Sequence, residues 1–347
     1  MKLHLLCLIF GIFALQTLLF AQTITILDSS RTNVSFRGMG IAKDKSIWVS
    51  GSKGTIGKSN DEGKTWAWVN PKGFENRDFR DIEAFSNTTA IAMAVDSPGI
   101  IIKTVDGGQN WKVVYENHEP GIFLDDLCFA NATNGICVGD PLQDGRLIVL
   151  LTENAGDSWK QLSTKQRPLV KTGEALFAAS GSNTIPHPRN KKSYMLVTGG
   201  LSSNLWEVFP YEEAREPRLR PLTLMQGNAS SGANAIFNAR KFTMIVGGNF
   251  SEPTRSDSNL TVFVKLRKPR YVPLEGGYKS SIADNLEEYR VSCGPNGGIF
   301  HYAPFVTYPL AWKNFTRIPF HVVRTLPGSK TFWLAGPGGK IASVTFQ

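Results

Sequence analysis

Ser59-Asn60-Asp61-Glu62-Gly63-Lys64-Thr65-Trp66 is the stretch on which the fold of this chain turns. The same shape returns at Thr104-Val105-Asp106-Gly107-Gly108-Gln109-Asn110-Trp111. It returns again at Thr152-Glu153-Asn154-Ala155-Gly156-Asp157-Ser158-Trp159, where Asn154 stands for the aspartate. The pattern is S/T-x-D-x-G-x-x-W, and its chemistry is structural. The hydroxyl of Ser59, Thr104 or Thr152 and the side-chain oxygen of Asp61, Asp106 or Asn154 accept backbone N–H groups within one turn. Gly63, Gly108 and Gly156 supply a positive φ, and Trp66, Trp111 and Trp159 bury their rings beneath the loop. Spacings of 45 and 48 residues make this an internal repeat.

Working outward, each motif joins the third and fourth strands of a four-stranded unit. Second strands ending near a glycine recur where no motif remains. Gly51, Asp96, Gly139, Gly199, Gly247, Gly294 and Gly336 mark these ends, at spacings of 45, 43, 60, 48, 47 and 42 residues. Seven marks predict seven blades, hence an all-β, seven-bladed β-propeller. The last unit stops after its third strand, and an unassigned strand, 23–27, precedes the first. Pairing 23–27 beside 341–346 closes the ring and removes a free edge. The charged stretch 211–218 is expected to be a loop, and residues 22–347 a single domain.

Met1-Lys2, the apolar run from Leu5 to Leu15 and the exit at Phe20-Ala21 have the layout of a secretory signal peptide, residues 1–21. The competing reading is a membrane anchor, which Gln16 and Thr17 weaken. No other segment is long and apolar enough to span a bilayer. The expectation is a secreted or periplasmic, monomeric protein. Its net charge of +9 favours acidic partners. The densest basic run, Lys265 to Arg270, reads either as a polyanion contact or as a solvated strand end. Cys128 and Cys137 flank a hairpin turn, and a turn centred between Ala132 and Thr133 sets them opposite each other as a possible disulfide. Two buried free thiols are the alternative. Sequons stand at Asn33, Asn87, Asn131, Asn228, Asn249, Asn259 and Asn314, mostly in or beside predicted turns.

The Asp-box motifs, with Ser35-Phe36-Arg37-Gly38, Gly145-Arg146-Leu147-Ile148, Gly173-Glu174-Ala175-Leu176-Phe177-Ala178-Ala179-Ser180-Gly181 and Gly277-Tyr278-Lys279-Ser280, carry a resemblance. The chain resembles exported BNR-repeat propellers related to the photosystem II stability/assembly factor-like proteins, across essentially its whole mature length. The resemblance implies the propeller fold and says little of function. Photosynthetic members assist assembly of a membrane complex, whereas nothing in these residues implies photosynthesis.

Propellers bind at the axial mouth, where the innermost strands begin. Superposing those strands by their apolar positions gives a ring of Arg37, Arg80, Asp125, Lys279 and His321, with Glu174 and Asn234 one place later. This ring either holds a polar ligand or peptide terminus, with arginine and lysine as donors, or neutralises itself around a water-filled channel. The expected function is a non-enzymatic scaffold for a protein, peptide or glycan, without nucleic acid, cofactor or metal. The enzyme alternative is a glycoside hydrolase of sialidase type, since sialidases also carry Asp-boxes. Such an enzyme needs three arginines and a Tyr/Glu pair, yet Phe36-Arg37-Gly38-Met39 fails its F/Y-R-I-P motif. His187 and His301 lack ligand spacing for zinc. Gly336-Pro337-Gly338-Gly339 lacks the Lys-Ser/Thr of a nucleotide loop. Asp125 and Asp126, adjacent on a strand, form no carboxylate dyad without a bulge.

Overall fold

The structure, a computed structural model, describes residues 22–239, 242–264, 269–271, 274–302 and 311–347. The signal-peptide segment lies outside the described residues, as do 265–268 of the basic run. Seven antiparallel four-stranded units follow one another around an axis. The first contains Phe36–Ile41, Ile47–Gly51, Ile56–Ser59 and Ala67–Trp68. The innermost strands of the second, third, fifth, sixth and seventh are Phe79–Ala84, Leu124–Phe129, Ser231–Ala239, Ser281–Asp284 and Val322–Thr325. In the fourth blade two short pieces, Glu174–Ala175 and Thr184–Pro186, both pair with Tyr194–Gly200. The seventh blade is completed by Gln22–Asp28, which runs antiparallel to Ile341–Phe346 with Gln22 opposite Phe346. The ring is therefore closed by its N-terminal strand, as the sequence predicts.

Every blade is covered on both faces by its neighbours, and this dictates sequence. Strands such as Ala90–Ala94 and Gly99–Thr104 are buried at every position and read as continuous apolar runs. Ile91, Met93 and Ile101 pack on Leu124, Leu127, Cys137 and Ile148 of the third blade. The other face of that blade packs Ile136, Val138 and Val149 on Leu196 and Trp206 of the fourth. Blades four and five also touch backbone to backbone, through the Gly199–Gly232 pair. A Cβ on Gly232 would lie 2.3 Å from the Gly199 Cα, so no side chain is possible there.

The Asp-box turns form as their chemistry requires. Ser59 Oγ accepts the Gly63 N–H at 2.7 Å, and Asp61 accepts the Thr65 N–H and hydroxyl. Thr104 with Asp106, and Thr152 with Asn154, repeat the arrangement. The residue before each glycine, Glu62, Gly107 or Ala155, also has positive φ, which turns the chain sharply enough to start the outer strand. Trp66 donates to Gly63 O, while Trp111 donates to Val69 O and so ties one blade to the previous one. Because Thr104 is 1% exposed, Thr104→Val leaves the Gly108 N–H buried and unbonded. A loss of about 1–2 kcal/mol is expected in urea denaturation, and an unchanged midpoint would refute the hydroxyl's role.

Two sequence expectations fail. Phe129 pairs with Gly135, so the hairpin loop has five residues centred on Ala132, and Cys128 faces Ile136 while Cys137 faces Leu127. This offset of one residue sends the two thiols to opposite faces of the blade, Cys137 toward the second and Cys128 toward the fourth. Both are buried and free, as is Cys293. Among the sequons, Asn249 and Asn259 are 1% and 0% exposed and cannot carry a glycan in the folded chain. Asn259 instead staples the loop of residues 274–277, through Leu274 N, Leu274 O and Gly277 O. Asn33, Asn87, Asn131, Asn228 and Asn314 are exposed.

The axis is not an open channel. Between the two pieces of the fourth blade's inner strand, residues 176–183 cross it as a plug. Ser180 Oγ donates to Ser280 O, and Ser182 O accepts the Ile236 N–H. Arg324 of the seventh blade donates to Ser180 O, Gly181 O and Ser182 Oγ, three contacts from the far side of the ring. Gly181 packs directly on Asp81, where a Cβ would fall 2.0 Å from its carboxylate.

Candidate functional site at the axial mouth

Above the plug lies a cavity of about 560 Å³. Its charged and polar lining comes from Arg37, Arg80, Asp125, Asp140, Asn234 and His321. Phe123, Phe177, Phe250 and Tyr278 supply aromatic walls, and 175–179 supply the floor. The physical device that aims the first of these groups is a β-bulge. In the first strand of four blades the register slips by one residue, at Arg37, Arg80, Asp125 and Asn234. An extra residue in a strand is left unpaired and its side chain is re-aimed, here toward the axis. His321 stands at the matching place in the seventh blade, its N–H on Ala335 O while Val322 also opposes Ala335.

Five of the seven residues placed in the ring by sequence are thus brought together: Arg37, Arg80, Asp125, Asn234 and His321. Two are not. Glu174, 1% exposed, turns away to accept from Thr198 Oγ1 and Trp206 Nε1, leaving Ala175 at the cavity. Lys279, also 1% exposed, folds back to donate to Gly276 O at 2.6 Å and to Gly277 O. Its neighbour Ser280 takes the axial place, since Ser280 and Ser281 both oppose Cys293, as the bulge requires. Apolar superposition cannot see a one-residue slip, which is why the register failed there. Asp140 and the aromatic walls were missed altogether, because they lie on second strands and connecting loops. The Asp125 bulge does not create a dyad with Asp126: Asp125 serves the cavity, while Asp126 lies beside Asp81 below the plug.

The electrostatics are uneven. Arg80 is paired with Asp78 at 2.8 Å, stacks over Phe123, and reaches Ala178 O at 3.5 Å. Arg37 has no hydrogen bond or ion pair among the described residues, and its Nε is buried without a partner. Burial, then the nearby Arg80, lowers its pKa, although Asp78 and Tyr278 oppose the shift. Burial and the same two arginines push His321 down to about 3, so it is neutral and a weak base. Burial drives Asp125 well above the usual carboxylate range, helped by Asp140 and Asp126. Asp140 rises to about 6 through burial, despite the Leu176 N–H on its Oδ1. Tyr278 is fixed by its hydroxyl, which donates to Asn234 Oδ1 at 2.8 Å. Among the described residues no group of three or more His, Cys, Asp or Glu could hold a metal ion.

No family model matches the sequence, and no curated protein matches it. Solved structures do. YCF48 bound to D1 peptide is 12% identical with a TM-score of 0.65, over 93% of this chain and 96% of that one. YCF48 from Cyanidioschyzon merolae is 14% identical with a TM-score of 0.63, over 92% and 98%. Selenomethionine-substituted virginiamycin B lyase from Staphylococcus aureus is 10% identical with a TM-score of 0.65, over 94% and 99%. The likeness is one of fold. This chain is a propeller similar to YCF48 and to the lyase, and a fold shared between a peptide-bound protein and a lyase leaves function to the site.

Proposed function

We infer that this chain is an exported, non-enzymatic scaffold that binds a partner through the axial mouth, with a peptide or protein favoured over a glycan. The observation that carries this is Arg37, a guanidinium with no ion pair or hydrogen bond among the described residues, in the lining of a cavity with aromatic walls. A desolvated, unpaired charge is unfavourable, and an anionic ligand group relieves it with charge-assisted hydrogen bonds. The cavity volume falls in the ordinary range for ligand sites. The peptide-bound structure of YCF48, on the same fold, supports a peptide as the kind of partner. The test is binding of residues 22–347 to peptide and glycan arrays beside an Arg37→Ala/Arg80→Ala variant. Loss of at least about 100-fold in affinity is expected, since two charge-assisted contacts go together. Equal binding by both proteins would remove the mouth as the site.

The lyase likeness keeps an enzymatic reading in play. Against it, the cavity's only histidine among the described residues is a weak base. The sialidase alternative meets two arginines and Tyr278 in the lining where it needs three arginines. Turnover of a glycoside or of virginiamycin B that Arg37→Ala abolishes would establish the enzyme instead.

A further inference from the structure

We propose that Asp125 and Asp140 form an ammonium subsite within the mouth cavity, so that the ligand is a zwitterion whose amine they hold while Arg37 takes its carboxylate. This deepens the anion-binding reading above and rests on it. Two observations carry it. Asp125 is 0% exposed and lines the cavity, yet neither of its carboxylate oxygens has a hydrogen-bond partner among the described residues, since the nearby Asp140 N–H is spent on Phe123 O. A buried polar group without a partner requires an explanation. Beside it stands Asp140, half-buried in the same lining, with Oδ1 on the Leu176 N–H and Oδ2 unbonded among the described residues. Two carboxyls side by side, short of donors, are what an ammonium with three N–H groups satisfies.

The opposite charge sits on other blades. Arg37 comes from the first and Arg80 from the second, and Arg80 is already engaged by Asp78. The cavity therefore holds a cationic group and an acidic pair that are both short of partners among the described residues, and aromatic side chains share its lining. An apolar amino acid, or the end of a peptide that presents both charges, has this layout. The charged and titratable groups that act on the pair or share its cavity are Arg80, Arg37, His321 and Tyr278 in the lining, with Asp126 close to Asp125 outside it. Burial makes the pair hold a proton at mildly acidic pH, and an arriving ammonium displaces it.

The experiment is calorimetric titration of residues 22–347 with phenylalanine, N-acetylphenylalanine, phenethylamine and the dipeptide Phe-Phe. Phenylalanine is expected to bind at least about 10-fold tighter than either single-charge probe at pH 7.5. That preference should vanish at pH 5 and in Asp140→Asn, while N-acetylphenylalanine still binds the variant. Phe-Phe tighter than phenylalanine assigns the site to a peptide end, and the reverse order to a free amino acid; both support the subsite. N-acetylphenylalanine binding as tightly as phenylalanine overturns the subsite and leaves the Arg37 reading intact. Phenylalanine binding that ignores Arg37→Ala overturns the zwitterion and the Arg37 reading together. So does failure of all four probes at millimolar concentration.

Discussion

Arg324→Met should destabilise the protein by about 2–4 kcal/mol, the largest single-residue effect expected outside the apolar core. Its guanidinium is the pin of the plug, donating to Ser180 O, Gly181 O and Ser182 Oγ. Without it those acceptors lose their donors at the centre of the ring. Burial raises the pKa of Asp81, Glu83 and Asp126 on the second and third blades, and Arg324 is the cation that partly offsets that rise. Urea denaturation gives the global loss, and hydrogen exchange read at 176–183 gives the local one. Methionine keeps most of the volume, so the change is one of charge and hydrogen bonding. A loss below about 0.5 kcal/mol, within the range of an ordinary surface substitution, would mean that the plug holds itself.

Stability should fall as pH rises from 5 to 8, by about 3 kcal/mol or more. Buried carboxyls set the sign. Burial raises Glu83 to about 8, with Asp81 adding to the shift, and raises Asp140 to about 6. It also raises Asp81, Asp125 and Asp126. Each group holds in the native state a proton that the unfolded chain has released. The native state therefore binds more protons, and the slope of stability with pH is negative between the unfolded and folded pKa values. His321 acts in the other direction, because its lowered pKa removes stability as pH falls below 6.5. Burial also lowers His187 and His301, and three histidines against five carboxyls leave the maximum near pH 5. Glu83→Gln should flatten the curve between pH 6.5 and 8, where histidine titration no longer contributes. Denaturant midpoints at pH 5, 6.5 and 8 check this, and a midpoint that rises with pH would contradict it.

The legibility of this fold was uneven for physical reasons. Ser59, Thr104, Thr152 and their partners were readable because an Asp-box is local: all its polar atoms lie within eight residues. The blade count was readable because each central strand is buried on both faces and must end at a compact turn, which leaves a glycine or Asp96 behind. Closure by 23–27, observed as Gln22–Asp28, followed from counting strands. The disulfide alternative for Cys128 and Cys137 failed and the free-thiol alternative held, because the five-residue loop sets a register one residue away from that of a two-residue turn. At the mouth, Arg37, Arg80, Asp125 and Asn234 came out correctly, since one bulge recurs at one place in four blades. Lys279 and Glu174 came out wrongly, since each found buried partners that apolar alignment does not describe.

The sequence by itself determined the repeat, the seven blades, the closing strand and the mixed charges of the mouth, because these depend on local motifs and on a period of burial. Tertiary structure alone decided that residues 176–183 cross the axis, that Arg324 pins them from 142 to 144 residues away, and that Arg37, unpaired among the described residues, shares one cavity with Asp125 and Asp140. Those facts depend on which side chains from different blades reach one another, and a one-residue bulge changes that outcome without changing the apolar pattern that a sequence displays.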